Sequence, residues 1–136
     1  MVAFIIYFSQ RIQSHLSESV NEVKWVSELF PDSKHYTGVY NDMGLLNDKT
    51  IMAHGVHLDN EELKMLKETG AGISHCANSN CSLKSGFCNV LRLREHGVKV
   101  GLGTDCAGGY SPSMIDSMRY NCYQFIKILI YLWKIS

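Results

Sequence analysis

The sequence predicts an α/β fold, a parallel sheet with helices packed outside it. Two observations carry this expectation. Four short apolar runs recur along the 136 residues, each followed by a stretch with helical periodicity, and such alternation builds parallel sheets. A polar residue capable of chemistry also stands at the C-terminal end of each run: His15, His54, His75 and Asp105. In a parallel barrel all these ends open on one face, where catalytic residues gather.

The first run, Ile5 to Ile12, leads through Gln13-Ser14 to His15. Val20, Val23, Val26 and Phe30 then recur at helical spacing, with Glu18, Glu22 and Glu28 between them, and Pro31 stops the helix. The polar stretch from Asp32 to Asp48 reads as a connection with one short helix near Thr37 to Asp42. The second run, Thr50 to Ala53, ends at His54. Asp59 and Glu62 form a capping-box pair that opens a helix with Leu63 and Leu66 inward and Gly70 as its stop. The third run, Gly72 to Ser74, ends at His75-Cys76, and His75 to Asn80 reads as polar and turn-like. Val90, Leu91 and Leu93 mark the next helix, which Gly97 ends. The fourth run, Val98 to Leu102, leads into Gly103-Thr104-Asp105. Its apolar character predicts a deep carboxylate, which is costly unless paired or bound to a cation.

Composition narrows the functional classes. Thirteen basic residues balance thirteen acidic ones, so no basic excess exists to neutralise phosphates, and no nucleic-acid partner is expected. Hydrophobic residues are frequent enough for one domain with a core, which argues against disorder. The five cysteines are odd in number and scattered, and read as reduced and mostly structural. Met1 to Phe8 is apolar but lacks the basic start and cleavage site of a signal peptide. Phe125 to Trp133 is shorter than the roughly 20 residues of a membrane span. No membrane partner is expected from either. Asn80-Cys81-Ser82 fits a glycosylation triplet of a kind common by chance.

Four residues could share one chemistry. His15 can bind a metal, and Glu18, one turn on, can move protons beside it. The plainer reading is a surface histidine before the acidic first turn of a helix. His54, in Met-Ala-His-Gly, can ligate a metal or hold a substrate oxygen; the plainer reading is a satisfied core histidine. Asp105 is the residue for which a functional reading leads. Gly101 and Gly103 do not make a dinucleotide fingerprint, because Cys106 stands at its sixth position. His57 is given no role, and His35 and His96 are read as solvated. Two histidines, a carboxylate and a glutamate on one barrel face make a mononuclear hydrolytic metal site.

The segments Gln13-Ser14-His15-Leu16-Ser17-Glu18, Met52-Ala53-His54-Gly55, His75-Cys76-Ala77-Asn78-Ser79-Asn80 and Gly101-Leu102-Gly103-Thr104-Asp105 resemble the amidohydrolase superfamily in sequence and order. Ser85 to Val90 and Gly103 to Ser111 are similar, within it, to the guanine deaminase family. The resemblance runs from about Gln13 to Met118. It implies a distorted TIM-like (β/α)8 barrel, of which this chain would supply roughly strands 5 to 8 with their helices. It also implies a zinc cofactor (Zn2+), hydrolysis of guanine to xanthine and ammonia, a cytosolic setting and homodimeric full-length relatives. By motif position, His15 would ligate zinc on the fifth strand and meet the substrate. Glu18 would be the proton shuttle touching the purine ring. His54 would lie beside the metal and orient the hydroxide or the substrate. Asp105 would ligate zinc, take a proton from its water and meet the substrate.

The chain contains no His-x-His pair of the kind the family carries on its first strand, nor the Arg-Phe pair that holds guanine in the family. The expectation is therefore one incomplete amidohydrolase-type barrel domain over residues 1–136, a fragment of the full enzyme. Its family-like core would span 13–118, with atypical apolar ends at 1–11 and 121–136. Two alternatives stand beside it: a non-catalytic truncated barrel fragment that binds zinc weakly or binds other chains, and a related aminohydrolase acting on another heterocycle. A half barrel is also expected to self-associate through its uncovered sheet.

Overall fold

The computed structural model describes residues 10–135, with side chains through Ile126. Four strands, β1 (Ile12–Leu16), β2 (Thr50–His54), β3 (Gly72–His75) and β4 (Lys99–Leu102), form a parallel sheet in sequential order. Helices connect them: α1 (Val20–Leu29) and α2 (Tyr36–Asp42) after β1, α3 (Asn60–Thr69) after β2, α4 (Ala77–Ser82) and α5 (Val90–Glu95) after β3, and α6 (Met114–Ile135) after β4. The α/β parallel architecture read from the alternation is therefore present. The Ile5 to Ile12 run contributes only its last residue to β1, and Met1 to Phe8 lies outside the described residues.

Local signals explain most boundaries. Ser19 caps α1 and Asp59 caps α3, each as a full capping box with Glu22 and Glu62. Gly70 ends α3 in the left-handed region at φ 75°, which glycine adopts without strain. Glu62 is buried and also accepts from the Thr37 backbone N–H at 3.1 Å and its hydroxyl at 2.9 Å. One carboxylate thus caps α3 and fastens α2 to it.

The core lies between the sheet and the helices. Strand residues alternate faces, so Leu16, Met52 and Ile73 point into it and meet Leu63 and Leu66 of α3 and Leu93 of α5. The opposite face of the sheet is open: Gln13, His15, Ile51 and Gly101 are exposed on it. β1 and β4 are the edges of the described sheet, and the side chains of His15 and of Asp105, in the loop after β4, meet at 3.8 Å.

Several expectations are corrected. His75 to Asn80 is not merely a turn, because Ala77–Ser82 forms α4, with Asn78, Ser79 and Asn80 buried. The carboxylate after the Val98 to Leu102 run is only partly deep: Asp105 keeps 23% of its side chain exposed, and Lys99, Gly101 and Leu102 of β4 are exposed. The atypical apolar end from Asn121 runs as far as Ile135 within α6. That helix is tied to the domain by Ser117 Oγ donating to Gly103 O at 3.2 Å and Gln124 Nε2 donating to Ala77 O at 3.2 Å. In α1 only Val26 is buried, and Val20 and Phe30 are exposed. His35 is not solvated; its Nδ1 pairs with Asp59 at 2.8 Å. His96 instead meets the Arg92 carbonyl at 2.8 Å. Among the described residues no helix is long and apolar enough to cross a membrane.

Candidate active site

The parallel sheet delivers its strand ends to one rim, and three of the four predicted residues converge there. His15 comes from β1, His54 is the last residue of β2, and Asp105 lies three residues past β4. His15 Nε2 is 3.8 Å from Asp105 Oδ1. His54 Nε2 is 3.7 Å from Glu18 Oε2 and 3.9 Å from Asp105 Oδ2. The two imidazoles stack, with centroids 5.2 Å apart and an interplanar angle of 28°. His54 forms the floor, fully buried, whereas half of the His15 side chain is exposed at the rim.

His75 does not join them. It sits two residues after the core residue Ile73 on β3 and so shares its face, turned towards α5 and α6. There it lines a hollow with Cys88, Val90 and Gln124. Burial pushes its pKa down to about 4, opposed weakly by the Gln124 amide and reinforced by His54. The same burial pushes the Cys88 thiol up to about 12, which keeps it protonated and inert.

The backbone at the rim is strained in a telling way. His54 at φ 74° and Asp105 at φ 47° both occupy the left-handed region, which costs a non-glycine residue on the order of 1 kcal/mol or more and is retained mainly where surroundings impose it. Gly108 leaves room for the Asp105 carboxylate. A methyl group on Gly108 would collide with Asp105 Oδ2 and stand 2.8 Å from Ser79 Oγ. Gly55 follows His54 at φ 59° and lets β2 leave the rim.

Three supporting residues were not legible from spacing. Ser85, in the loop between α4 and α5, donates its hydroxyl to Glu18 Oε1 at 2.9 Å. That leaves Oε2 as the carboxylate oxygen facing His54. Ser85 is itself held by its backbone, its carbonyl meeting His57 Nε2 at 2.8 Å and its N–H donating to Asn80 O at 2.9 Å. Asn80 Oδ1 in turn lies 2.9 Å from His54 Nδ1. The carbonyl of buried Ser17 accepts from Val56 and His57 and so fixes the loop after β2. Each of these contacts spans a long stretch of chain except Asn80 with Ser85, and sequence periodicity carries no trace of them.

The donor set fits a cation. His54 Nε2 is buried without a hydrogen-bond partner, with Glu18 Oε2 and Asp105 Oδ2 at 3.7 and 3.9 Å. Two carboxylates turned towards one buried point are stabilised by positive charge placed between them. Donor atoms of His15, His54 and Asp105 all lie within 4.8 Å of one another. Two imidazoles and one carboxylate suit zinc, whose catalytic sites use three protein ligands and keep a position open.

Comparison with known proteins agrees with this arrangement. Human guanine deaminase is 57% identical over 108 residues, covering 79% of this chain and 24% of that protein. The solved guanine deaminase of E. coli superposes with a TM-score of 0.89 at 32% identity, over 91% of this chain and 29% of that one. Guanine deaminase from C. acetobutylicum, solved with guanine bound in its active site, gives a TM-score of 0.88 at 32% identity, over 90% of this chain and 30% of that one. The chain thus spans about a quarter of the length of the curated relatives it matches. The amidohydrolase family model matches residues 8–128. With a parallel α/β sheet, a rim of histidine and carboxylate donors and that match across most of its length, the chain belongs to the amidohydrolase family.

Proposed function

We propose that this chain supplies strands 5 to 8 of an amidohydrolase barrel that hydrolyses guanine to xanthine and ammonia, in the cytosol and within a homodimeric enzyme. The convergence of His15, His54 and Asp105 around one ion-sized point carries the reading. In these terms residues 13–118 are the family-like part of one incomplete barrel domain.

His15 and Asp105 would hold the zinc ion, with His54 Nε2 facing the same point. Zinc, when bound, supplies Lewis acidity that brings the pKa of water down to about 7. The chain's own groups manage the protons. Glu18, anchored through Oε1 by Ser85, is the proton shuttle, moving a proton through the opposite oxygen. It delivers that proton to a ring nitrogen as water adds to the carbon bearing the amino group, so that negative charge does not build up on the ring. Asp105 takes the proton that the water gives up. Asp105 then returns its proton to the amino group, the added hydroxyl gives its remaining proton back to Glu18, and ammonia leaves as the carbonyl of xanthine forms. His54 is buried at the floor and directs the adding oxygen or the substrate. His15, Glu18 and Asp105 line the approach to the ring.

The test is zinc content and xanthine formation by the purified chain. We expect zinc to be retained, and to be lost in His15→Ala and Asp105→Asn. A folded chain that binds zinc equally well with and without both side chains would overturn the metal assignment. A second reading, a non-catalytic fragment that binds zinc weakly or binds other chains, draws support from the sheet having four strands among the described residues, against the eight of a closed barrel. Zinc binding without xanthine favours that second reading.

A further inference from the structure

We propose that Asn80 is a positioning residue: it fixes His54 in the tautomer protonated at Nδ1, and so presents an unprotonated Nε2 to the point shared with Glu18 and Asp105.

The contact is short, dry and rigidly mounted. Asn80 Oδ1 and His54 Nδ1 are 2.9 Å apart, and both side chains are fully buried. Both groups are shut off from bulk solvent, so the direction of the bond decides where the imidazole proton sits. Asn80 is anchored at both backbone groups, its N–H donating to Cys76 O and its carbonyl accepting from Ser85 N–H, each at 2.9 Å. The helix that carries it is tied down by Gln124 through Ala77 O. His54 is equally constrained by its left-handed backbone and by the stacked ring of His15.

The amide could face the ring in two ways, and they differ by one proton. With Oδ1 accepting, Nδ1 carries hydrogen and Nε2 keeps its lone pair; Asn80 Nδ2 is then the buried group without a partner. With the amide reversed, Nδ2 would donate to Nδ1, the proton would move to Nε2, and the lone pair would vanish from the point where three donor atoms converge. Only the first arrangement leaves His54 an electron-pair donor to a cation or a hydrogen-bond acceptor there; the second makes it a hydrogen-bond donor. The inference rests on that cluster being a cation site, and it also explains why Asn80 belongs to the fold's interior rather than to a glycosylated surface.

Long-range proton–nitrogen NMR on the 15N-labelled full chain equilibrated with zinc tests it, at about pH 8, above the ordinary imidazole range. His54 signals are identified by their loss in His54→Gln. We expect a pyrrole-type Nδ1 and a pyridine-type Nε2. In Asn80→Ala the two resonances should shift towards each other as both tautomers populate. In Asn80→Asp, whose carboxylate can only accept, the original pattern should persist. A pyridine-type Nδ1 in the parent chain, or an unchanged pattern in a folded Asn80→Ala, overturns the proposal. Should Asn80→Ala not fold, the parent and Asn80→Asp spectra still decide, because either one showing hydrogen on Nε2 contradicts it. Zinc binding measured by equilibrium dialysis separates this from the metal assignment. A chain that binds no zinc but shows Nδ1–H removes the cation reading and leaves the tautomer assignment intact, and a zinc-binding chain with Nε2–H does the reverse.

Discussion

Acidification should destabilise this protein through His75, a residue on the opposite side of the sheet from the candidate site. The ring is buried beside α6, and burial lowers its pKa from 6.5 to about 4. Between those values the unfolded chain binds a proton that the folded chain refuses. Stability rises with pH wherever the unfolded state binds more protons, so it must fall as pH drops from about 6.5 towards 4. One pKa unit corresponds to about 1.4 kcal/mol. Lowering the pH from 6.5 to 5 therefore removes about 2 kcal/mol, and full descent about 3 kcal/mol, against typical domain stabilities of about 5–15 kcal/mol. Urea unfolding followed by circular dichroism at pH 7.5 and pH 5 measures the loss, and His75→Gln isolates it. Other histidines titrate in both proteins, so the difference between the two pH slopes belongs to position 75. We expect the parent to lose about 2 kcal/mol more than the variant. Equal slopes would refute the claim that the folded chain holds this ring neutral by burial.

Three further outcomes follow from contacts described above. Gly108→Ala should push the Asp105 carboxylate off the rim and weaken zinc binding by about 10- to 100-fold in an indicator titration; unchanged affinity would mean that Asp105 does not hold the ion. Ser85→Ala frees Glu18 Oε1 and should lower xanthine formation about 10- to 100-fold with zinc content unchanged, whereas Ser85→Thr should recover much of it. Glu62→Ala strips the shared acceptor from the Thr37 N–H and hydroxyl and the Asp59 N–H. Its cost should be about 2–4 kcal/mol in urea unfolding, and a loss below 1 kcal/mol would show that water replaces the carboxylate.

The sequence made the site visible because strand ends in a parallel sheet share a rim. His15, His54 and Asp105 stand at strand ends, and that was enough to gather them. The same logic failed for His75, since the end of a strand sets height but not side: by alternation His75, after Ile73, and His54, after Met52, both belong to the core face, and His54 departs from the pattern at its left-handed φ of 74°. Val98 to Leu102 reads as apolar whether it lies at the centre or the edge of a sheet; only strand order distinguishes these, and β4 is an edge. Ser85 and Asn80 were missed for another reason. Their partners, Glu18 and His54, lie 67 and 26 residues away, and ordinary hydroxyls and amides acquire a role only once the chain has folded around them.

Each outer strand of the described sheet pairs on one side alone, leaving a column of peptide donors and acceptors along both flanks. Any strand joining the left flank lands next to the imidazole of position 15, and any strand joining the right flank lands next to the loop carrying the carboxylate of position 105. If the proposed barrel and cation site hold, closing the cylinder and walling in the ion would be a single event, so that a partner misaligned by one residue would present its alternate side chains to the mouth and spoil the pocket even where the ladder itself zipped up.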